Sequence, residues 1–309
     1  IASICIDNTL TDLADMAATY YEEHFPPTCY RLFLRGRVFD LQRNYGKAIE
    51  YTERALTFEP VGMLHRMMLH NILGHLYRYV GDADKSLYHY EKSAKMNFGG
   101  VNVPSNVLDQ CKKIRREDYS NFLFSIHNVN ASREKIFQEI VGFNKLLEHI
   151  VPFTQSPQTH SRHKKIRLGY ISPDIRRHVV IFFSYAFFKS YDKSKFEVYI
   201  YAKNHEDVFS SDIKTWVDKF ENILFDAPQV AAQKIKDDEI DVLIDLAGHT
   251  ANNCMEVLAY KPAPIIISAI GWFNTTGFKT VDYFMVDKFT DPVGLNEKFF
   301  TEKMLRLQQ

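Results

Sequence analysis

Four short stretches in the second half of the chain carry residue types that can hold and transform a polar ligand. They are residues 172–178 (SPDIRRH), 202–206 (AKNHE), 247–253 (AGHTANN) and 271–277 (GWFNTTG). His178 has a side chain that exchanges protons near neutral pH, so it can orient a hydroxyl or stabilise developing charge. Asp174 lies one helical turn before it. His249 and Thr250 follow a glycine that lets the chain turn. Asn274, Thr275 and Thr276 offer short donors and acceptors suited to sugar hydroxyls or phosphate oxygens, and Gly277 permits a close approach of backbone to ligand. Each has a structural alternative. His178 can cap a loop, Thr250 can cap a helix beginning near Asn253, Asp245 can tie neighbouring loops together, and 274–277 can be a plain turn.

Apolar runs precede these stretches. β-Branched and aromatic segments at 166–171, 196–201, 242–246, 265–269 and 283–286 read as strands buried on both faces. Residues 179–190 and 229–236 fit crossover helices. Alternating strands and helices predict a Rossmann-like, doubly wound parallel sheet over 161–309. In such a sheet ligands bind beyond the carboxyl ends of the strands, which is where all four polar stretches fall.

The cofactor fingerprints that often accompany such sheets are absent. No G-x-G-x-x-G follows the first strand, and neither G-x-x-x-x-G-K-[ST] nor H-E-x-x-H occurs, which argues against a dehydrogenase or an NTPase. His65, His70, His75 and His89 do not set two ligands on one helical face, so no metal is expected. With 38 basic and 38 acidic residues the formal charge is zero, and the basic run 112–116 reads as a solvated helix face, so nucleic acid is not an expected partner. The four cysteines, Cys5, Cys29, Cys111 and Cys254, lack disulfide or zinc spacing and suit a reducing compartment. No apolar run nears the ~20 residues that cross a bilayer, and no secretory signal opens the chain. The expected location is cytoplasmic, with no membrane partner.

The first half has helical periodicity and an internal repeat over 1–100. Gly36, Phe39, Ala48, Ala55 and Pro60 alternate small and large, as in a tetratricopeptide unit. Gly74, Tyr77, Ser86 and Ser93 keep the same mutual offsets, with a turn at Gly81-Asp82. Small residues at these places let paired helices approach closely. The two glycines are 38 residues apart, so residues 61–64 read as a small insertion, and a third helix pair is possible across 11–23. Residues 101–160 read as a helical bridge and linker, with Asn130 or Ser132 as a helix cap and a polar, proline-containing stretch at 152–163.

These motifs, taken in order, carry a resemblance. Residues 166–174 (IRLGYISPD) with 176–178 (RRH) resemble the start of the catalytic region in the SPINDLY and O-GlcNAc transferase family. Residues 245–250 (DLAGHT), 261–264 (KPAP), 274–277 (NTTG), 281–283 (VDY), Asp287 and 301–303 (TEK) match further blocks, and the similarity runs over 28–309. The spelling is closer to the SPINDLY and bacterial branch. The resemblance implies tetratricopeptide-type helical repeats followed by the first lobe of a two-lobed GT-B glycosyltransferase. It implies transfer of a single sugar, GlcNAc or fucose, from UDP-GlcNAc or GDP-fucose to Ser or Thr of intracellular proteins, with inversion and no required metal or other cofactor. His178 matches the family's active-site histidine. The family's second lobe, with a lysine on the donor phosphates, would begin about where this chain stops, so little transferase activity is expected of this chain alone. A helical groove would take the peptide acceptor, though Leu34 and Ile72 stand at the inner positions where an asparagine ladder would be. The chain also departs from the family with Trp272-Phe273 where Tyr-Pro is usual, which is expected to loosen that loop and reshape the cleft. A non-catalytic repeat scaffold with a degenerate half-domain is the competing reading.

Overall fold

Small residues dictate how the helices pair. The computed structural model describes residue 6 and residues 9–58, 62–98, 104–154 and 164–307. The chain divides into two compact units, 1–130 and 131–309. The bridge expected at 101–160 is therefore shared between them, while Cys5, Pro60 and most of the expected linker lie outside the described residues.

In the first unit, α1 (Thr11–His24) precedes α2 (Cys29–Leu41), α3 (Tyr45–Thr57), α4 (Met63–Tyr79), α5 (Ala83–Ala94) and the long α6 (Ser105–Ser125). The N-termini of α2, α3 and α5 are capped by Thr28, Asn44 and Asp82, each accepting the backbone N–H three residues on. A Cβ at Gly36 would sit 2.6 Å from Thr52 Oγ1, and one at Gly74 would sit 2.7 Å from the Tyr90 ring. Thr52 and Tyr90 each lie sixteen residues beyond their glycine, so the α2–α3 and α4–α5 pairs repeat one packing scheme. Residues 11–24 form one helix rather than a helix pair. The buried Arg35 guanidinium draws it onto α2 through Asp15 (2.5 Å), Thr19 (2.9 Å) and Glu22 (2.6 Å). Met63 and Leu64, read from sequence as part of an insertion, open α4. An extra turn of helix is all the longer spacing requires there.

The second unit opens with α7 (Arg133–Gly142), capped by Ser132, whose Oγ accepts the Lys135 amide. Its sheet has seven strands, all parallel: β1 (Ile166–Ser172), β2 (Phe196–Ala202), β3 (Lys219–Asn222), β4 (Val242–Asp245), β5 (Ile265–Ser268), β6 (Tyr283–Val286) and β7 (Lys303–Arg306). Spatial order is β3-β2-β1-β4-β5-β6-β7. The chain winds outward from β1 to β3 and then returns to β4, so the switch point falls between β1 and β4. Helices α8 (Val179–Lys189), α9 (Val208–Lys214), α10 (Pro228–Asp237) and α11 (Met255–Ala259) make connections between strands. Two strands, β3 and β7, have no counterpart in the sequence reading. No helix among the described residues is long and apolar enough to cross a membrane.

The first unit contains an unusual carboxyl group. Asp118 on α6 is fully buried and accepts from Asn71 Nδ2 on α4 and Ser93 Oγ on α5, joining three helices. Burial outweighs these hydrogen bonds and pushes its pKa up to about 7. A carboxyl raised in the folded state contributes stability that is full below its unfolded pKa and is lost as pH rises through 7. His70 and His89 meet through their Nδ1 atoms at 2.9 Å, and burial lowers both to about 4, so their contribution is lost as pH falls from 6.5 toward 4. Asp118→Asn keeps both hydrogen bonds, with the amide oxygen accepting from Asn71 and the amide N–H donating to Ser93. It is expected to raise helical-unit stability at pH 8 by about 2–3 kcal/mol, the gain over the parent growing between about pH 4 and 7 and levelling off above 7. Thermal melts followed by circular dichroism from pH 5 to 8 check this. An unaltered slope of stability between pH 5 and 7 in the variant rules it out.

Candidate active site

The carboxyl ends of β1, β4 and β5 stand side by side. Ile171 pairs with Asp245, and Asp245 pairs with Ser268. Because every strand is parallel, residues 172–178, 202–206, 247–253 and 271–277 all leave the sheet at this one edge.

After β1, Ser172 Oγ accepts the Asp174 amide at 3.0 Å and starts the turn. Asn204, buried at the end of β2, holds Ile175 from both sides, accepting its N–H (3.0 Å) and donating to its carbonyl (3.1 Å). The Asp207 carboxylate accepts the Arg177 amide at 2.7 Å. The loop so fixed delivers His178 as the N-cap of α8, its Nδ1 accepting the Val180 amide at 3.4 Å. Asp174 lies on the same side, 3.0 Å from Arg176 Nη2 and 3.7 Å from His178 Nδ1. One nitrogen cannot serve both neighbours at once. His178 keeps 35% of its side chain exposed, against 11% for Asp174, so the imidazole is the accessible member of the pair.

After β4 the chain turns around the wholly buried Asp245 carboxylate. It accepts the amides of Ala247 (3.1 Å) and Gly248 (2.8 Å) and the Ser268 hydroxyl (3.0 Å), and burial pushes its pKa up to about 6. Gly248 sits at φ +53°, and a Cβ there would be 2.2 Å from the Trp272 Cβ. His249 is buried: its Nε2–H donates to the Thr276 carbonyl at 2.7 Å, and its ring lies 4.9 Å from Phe143 and 5.4 Å from Trp272. Thr250 is part-buried and donates back to the Ala247 carbonyl at 2.8 Å. It does not cap α11; Asn253 accepts the Met255 amide in that region instead. Lys203 ties the second loop to the third by donating to the Asn253 carbonyl at 2.8 Å.

The loop after β5 is stitched in place. Asn274 is part-buried and accepts the amide of Thr275 at 2.8 Å. Thr275 and Thr276 point inward, fully buried, and both hydroxyls donate to the carboxylate of Glu302 at the foot of β7. Gly277, at φ +75°, lies so close to Ile140 that a Cβ would come within 2.8 Å of it, and its carbonyl accepts from Asn144. Trp272 is 2% exposed, and its indole N–H donates to the Thr275 carbonyl at 3.0 Å. The loop is therefore tied rather than loosened where the family's proline is missing, and Phe273, 56% exposed, is the aromatic ring left at the surface.

The structure thus brings the predicted residues to one rim in two groups. His178, Thr250 and Asn274 retain accessible surface, whereas Asp174, His249, Thr275, Thr276 and Gly277 are buried and engaged with the protein itself. Sequence reasoning gave no role to Asn204, Ser268, Asn144 or Glu302. A polar residue directly after an apolar run was the available signal for Asn204, and the 301–303 block was the signal for Glu302. Among the described residues no group of three or more His, Cys, Asp or Glu could hold a metal ion.

Gly248 and Gly294 both have positive φ, but nothing lies within 4 Å of a Cβ built on Gly294. Gly294→Ala is expected to cost about 1 kcal/mol from backbone strain alone. Gly248→Ala adds a clash that cannot be relieved without moving Trp272, so about 3 kcal/mol or more is expected. Urea denaturation of the two variants side by side compares them, and equal losses would show that the Trp272 contact sets nothing.

Residues 133–309, more than half of the chain, match the model of glycosyl transferase family 41. SPINDLY of Arabidopsis thaliana is 31% identical over 198 residues, covering 60% of this chain and 21% of that protein. The UDP-N-acetylglucosamine–peptide N-acetylglucosaminyltransferase of Caenorhabditis elegans is 32% identical over 148 residues, covering 46% of this chain and 12% of that protein. The chain thus spans about a fifth or less of the length of these relatives. A mutant of the O-GlcNAc transferase of Thermobaculum terrenum superposes with a TM-score of 0.76 at 20% identity, covering 99% of this chain and 58% of that one, and so shares its fold. The chain belongs to glycosyl transferase family 41.

Proposed function

We propose that this chain forms one half of a protein O-glycosyltransferase site, in which a single sugar passes from a nucleotide-sugar donor to Ser or Thr of a polypeptide. The observation that carries the proposal is the alignment of three family motifs at one switch-point edge, with His178 the accessible imidazole among them. The acceptor hydroxyl attacks the anomeric carbon and loses its proton to solvent or to the departing diphosphate, the bond to the diphosphate oxygen breaks with its electron pair leaving on the nucleoside diphosphate, and configuration inverts in that single displacement. His178 orients the attacking hydroxyl or stabilises the charge that develops, and the N-terminus of α8, which it caps, favours the negative charge of the donor. No metal is assigned a part. UDP-GlcNAc and GDP-fucose are the candidate donors, and the reading places the protein in the cytoplasm.

The helical pairs of the first unit supply the surface along which an extended acceptor lies. Asn71 is not part of a backbone-gripping ladder, because its amide N–H is spent on Asp118. Apolar contacts are left to hold the peptide there.

In the whole protein, His178→Ala is expected to lower kcat/KM by about 100-fold or more, with the melting temperature falling by only a few degrees, since loss of the α8 cap costs about 1 kcal/mol. Isothermal titration with UDP-GlcNAc and with GDP-fucose, paired with a transfer assay on an acceptor peptide, identifies the donor. If neither donor binds and no sugar is transferred, the catalytic reading fails and a non-catalytic repeat scaffold takes its place.

A further inference from the structure

Thr275 and Thr276 have the residue types of ligand contacts, yet the geometry spends both on a carboxylate that arrives from 26–27 residues downstream. Glu302 is 6% exposed. Its Oε2 accepts the Thr275 hydroxyl at 2.5 Å, and its Oε1 accepts the Thr276 amide at 2.7 Å together with the Thr276 hydroxyl. The threonine oxygens are used a second time. Thr275 Oγ1 accepts the amides of Gly277 (3.1 Å) and Thr301 (3.2 Å), and Thr276 Oγ1 accepts the amide of Phe278 (3.2 Å). Glu302 thereby holds Thr275 and Thr276, and their hydroxyl oxygens in turn hold the amides of Gly277 and Phe278. From the other side, His249 and Asn144 hold the carbonyls of Thr276 and Gly277.

We propose that Glu302 is a positioning residue for sugar transfer: its carboxylate clamps the loop after β5 so that Phe273 and Asn274 are presented at the rim in a fixed attitude. The inference rests on the glycosyltransferase reading for its consequence but not for the clamp itself. Buried carboxylates that accept several hydroxyl and amide hydrogens form charge-assisted bonds, which are short and hold direction well. Such bonds suit a loop whose reacting partners must be placed to within a fraction of an ångström. Glutamine retains the shape and the bonds from Thr276, which its oxygen accepts, and gives up only the bond from Thr275, whose oxygen already accepts two amides. Alanine leaves two buried hydroxyls and a buried amide without their partner.

The test has two arms. The first reads the clamp without catalysis. The chain has two tryptophans, so in a Trp216→Phe background Trp272 reports alone, from within the clamped loop. Glu302→Ala is expected to red-shift Trp272 emission and to abolish hydrogen-exchange protection at the amides of 276–278, while Glu302→Gln stays near the parent. The second arm measures transfer in the whole protein. Glu302→Ala is expected to lower kcat/KM by about 100-fold, and Glu302→Gln to remain within about tenfold, given that neutral bonds are roughly half as strong. If Glu302→Ala does not fold, Thr276→Val removes one hydroxyl at nearly constant volume and should reproduce the loss in part. Unchanged emission and protection in the alanine variant overturn the clamp. A loosened loop with undiminished kcat/KM, or equal losses in the glutamine and alanine variants, overturns its role in transfer. A parent protein that transfers no sugar refutes the glycosyltransferase reading and with it any role in transfer, and the fluorescence arm then judges the clamp alone.

Discussion

The second unit depends on a carboxylate shut away from water at the end of β4. Removing an ionised group from water costs several kcal/mol unless donors replace the solvent. Asp245 obtains them from two successive amides of the turn that follows and from the Ser268 hydroxyl on the next strand. Those amides are available only if the chain curls back at once, which requires the positive φ of Gly248. A residue without a side chain at that point leaves room for Trp272 to lie against it, and Trp272 in turn bonds the Thr275 carbonyl. One buried charge therefore sets a turn, the turn admits an indole, and the indole starts the next loop. The rim is a sequence of such dependencies.

Much of this architecture was legible because parallel strands buried on both faces must be apolar without interruption. β1, β2, β4, β5 and β6 come close to that condition, interrupted only by Arg167 and Glu197 near the starts of β1 and β2 and by polar residues at some carboxyl ends, and all five agree with the sequence reading to within a residue. β3 and β7 do not. Their sequences, KFEN and KMLR, each carry two charged residues in four, as suits strands at the edges of the sheet with a neighbour on one side only. α8 poses the opposite difficulty. Val180, Ile181, Ser184 and Phe188 face the core, but Val179, Phe182 and Phe183 are more than half exposed, so its sequence is apolar on both sides and its periodicity is blurred. In the helical unit the small residues gave the pairing directly, since Gly36 and Gly74 touch equivalent partners. The single helix at 11–24 was harder to read, because what anchors it is Arg35, a residue whose type alone suggests a surface.

For the candidate site, sequence reasoning placed the loops at the edge of the sheet where the structure has them but could not sort their residues by direction. A threonine after a strand has the same hydroxyl whether it faces a ligand or a carboxylate from a distant strand. Spacing along the chain carries no trace of Glu302 approaching Thr275 and Thr276, because that meeting is created by the β5-β6-β7 order. His249 likewise follows a glycine beyond a strand, as an exposed residue would, yet aromatic rings enclose it. His178 shows why the structural and chemical alternatives need not compete. Its Nδ1 caps α8, and capping is what holds the remainder of the ring at a defined place on the rim.

The resemblance leads to an expectation of Tyr-Pro where Trp272-Phe273 stands, and the structure shows how a loop without that proline is held rigid. A proline at a compatible position stabilises mainly by restricting the unfolded chain, an effect of about 0.4–1 kcal/mol. Here the restriction comes from the folded side. The Trp272 indole, the His249 imidazole, the Asn144 amide and the Glu302 carboxylate each hold a different point of the segment from Thr275 to Gly277. At about 1 kcal/mol net for each such bond, these contacts outweigh the missing proline several times over. They also determine where the exchange is felt. Trp272 fills the interior against Gly248, so it does not enlarge or narrow the rim. The change in surface chemistry falls on Phe273, an apolar ring presented by a loop that has no freedom to withdraw it.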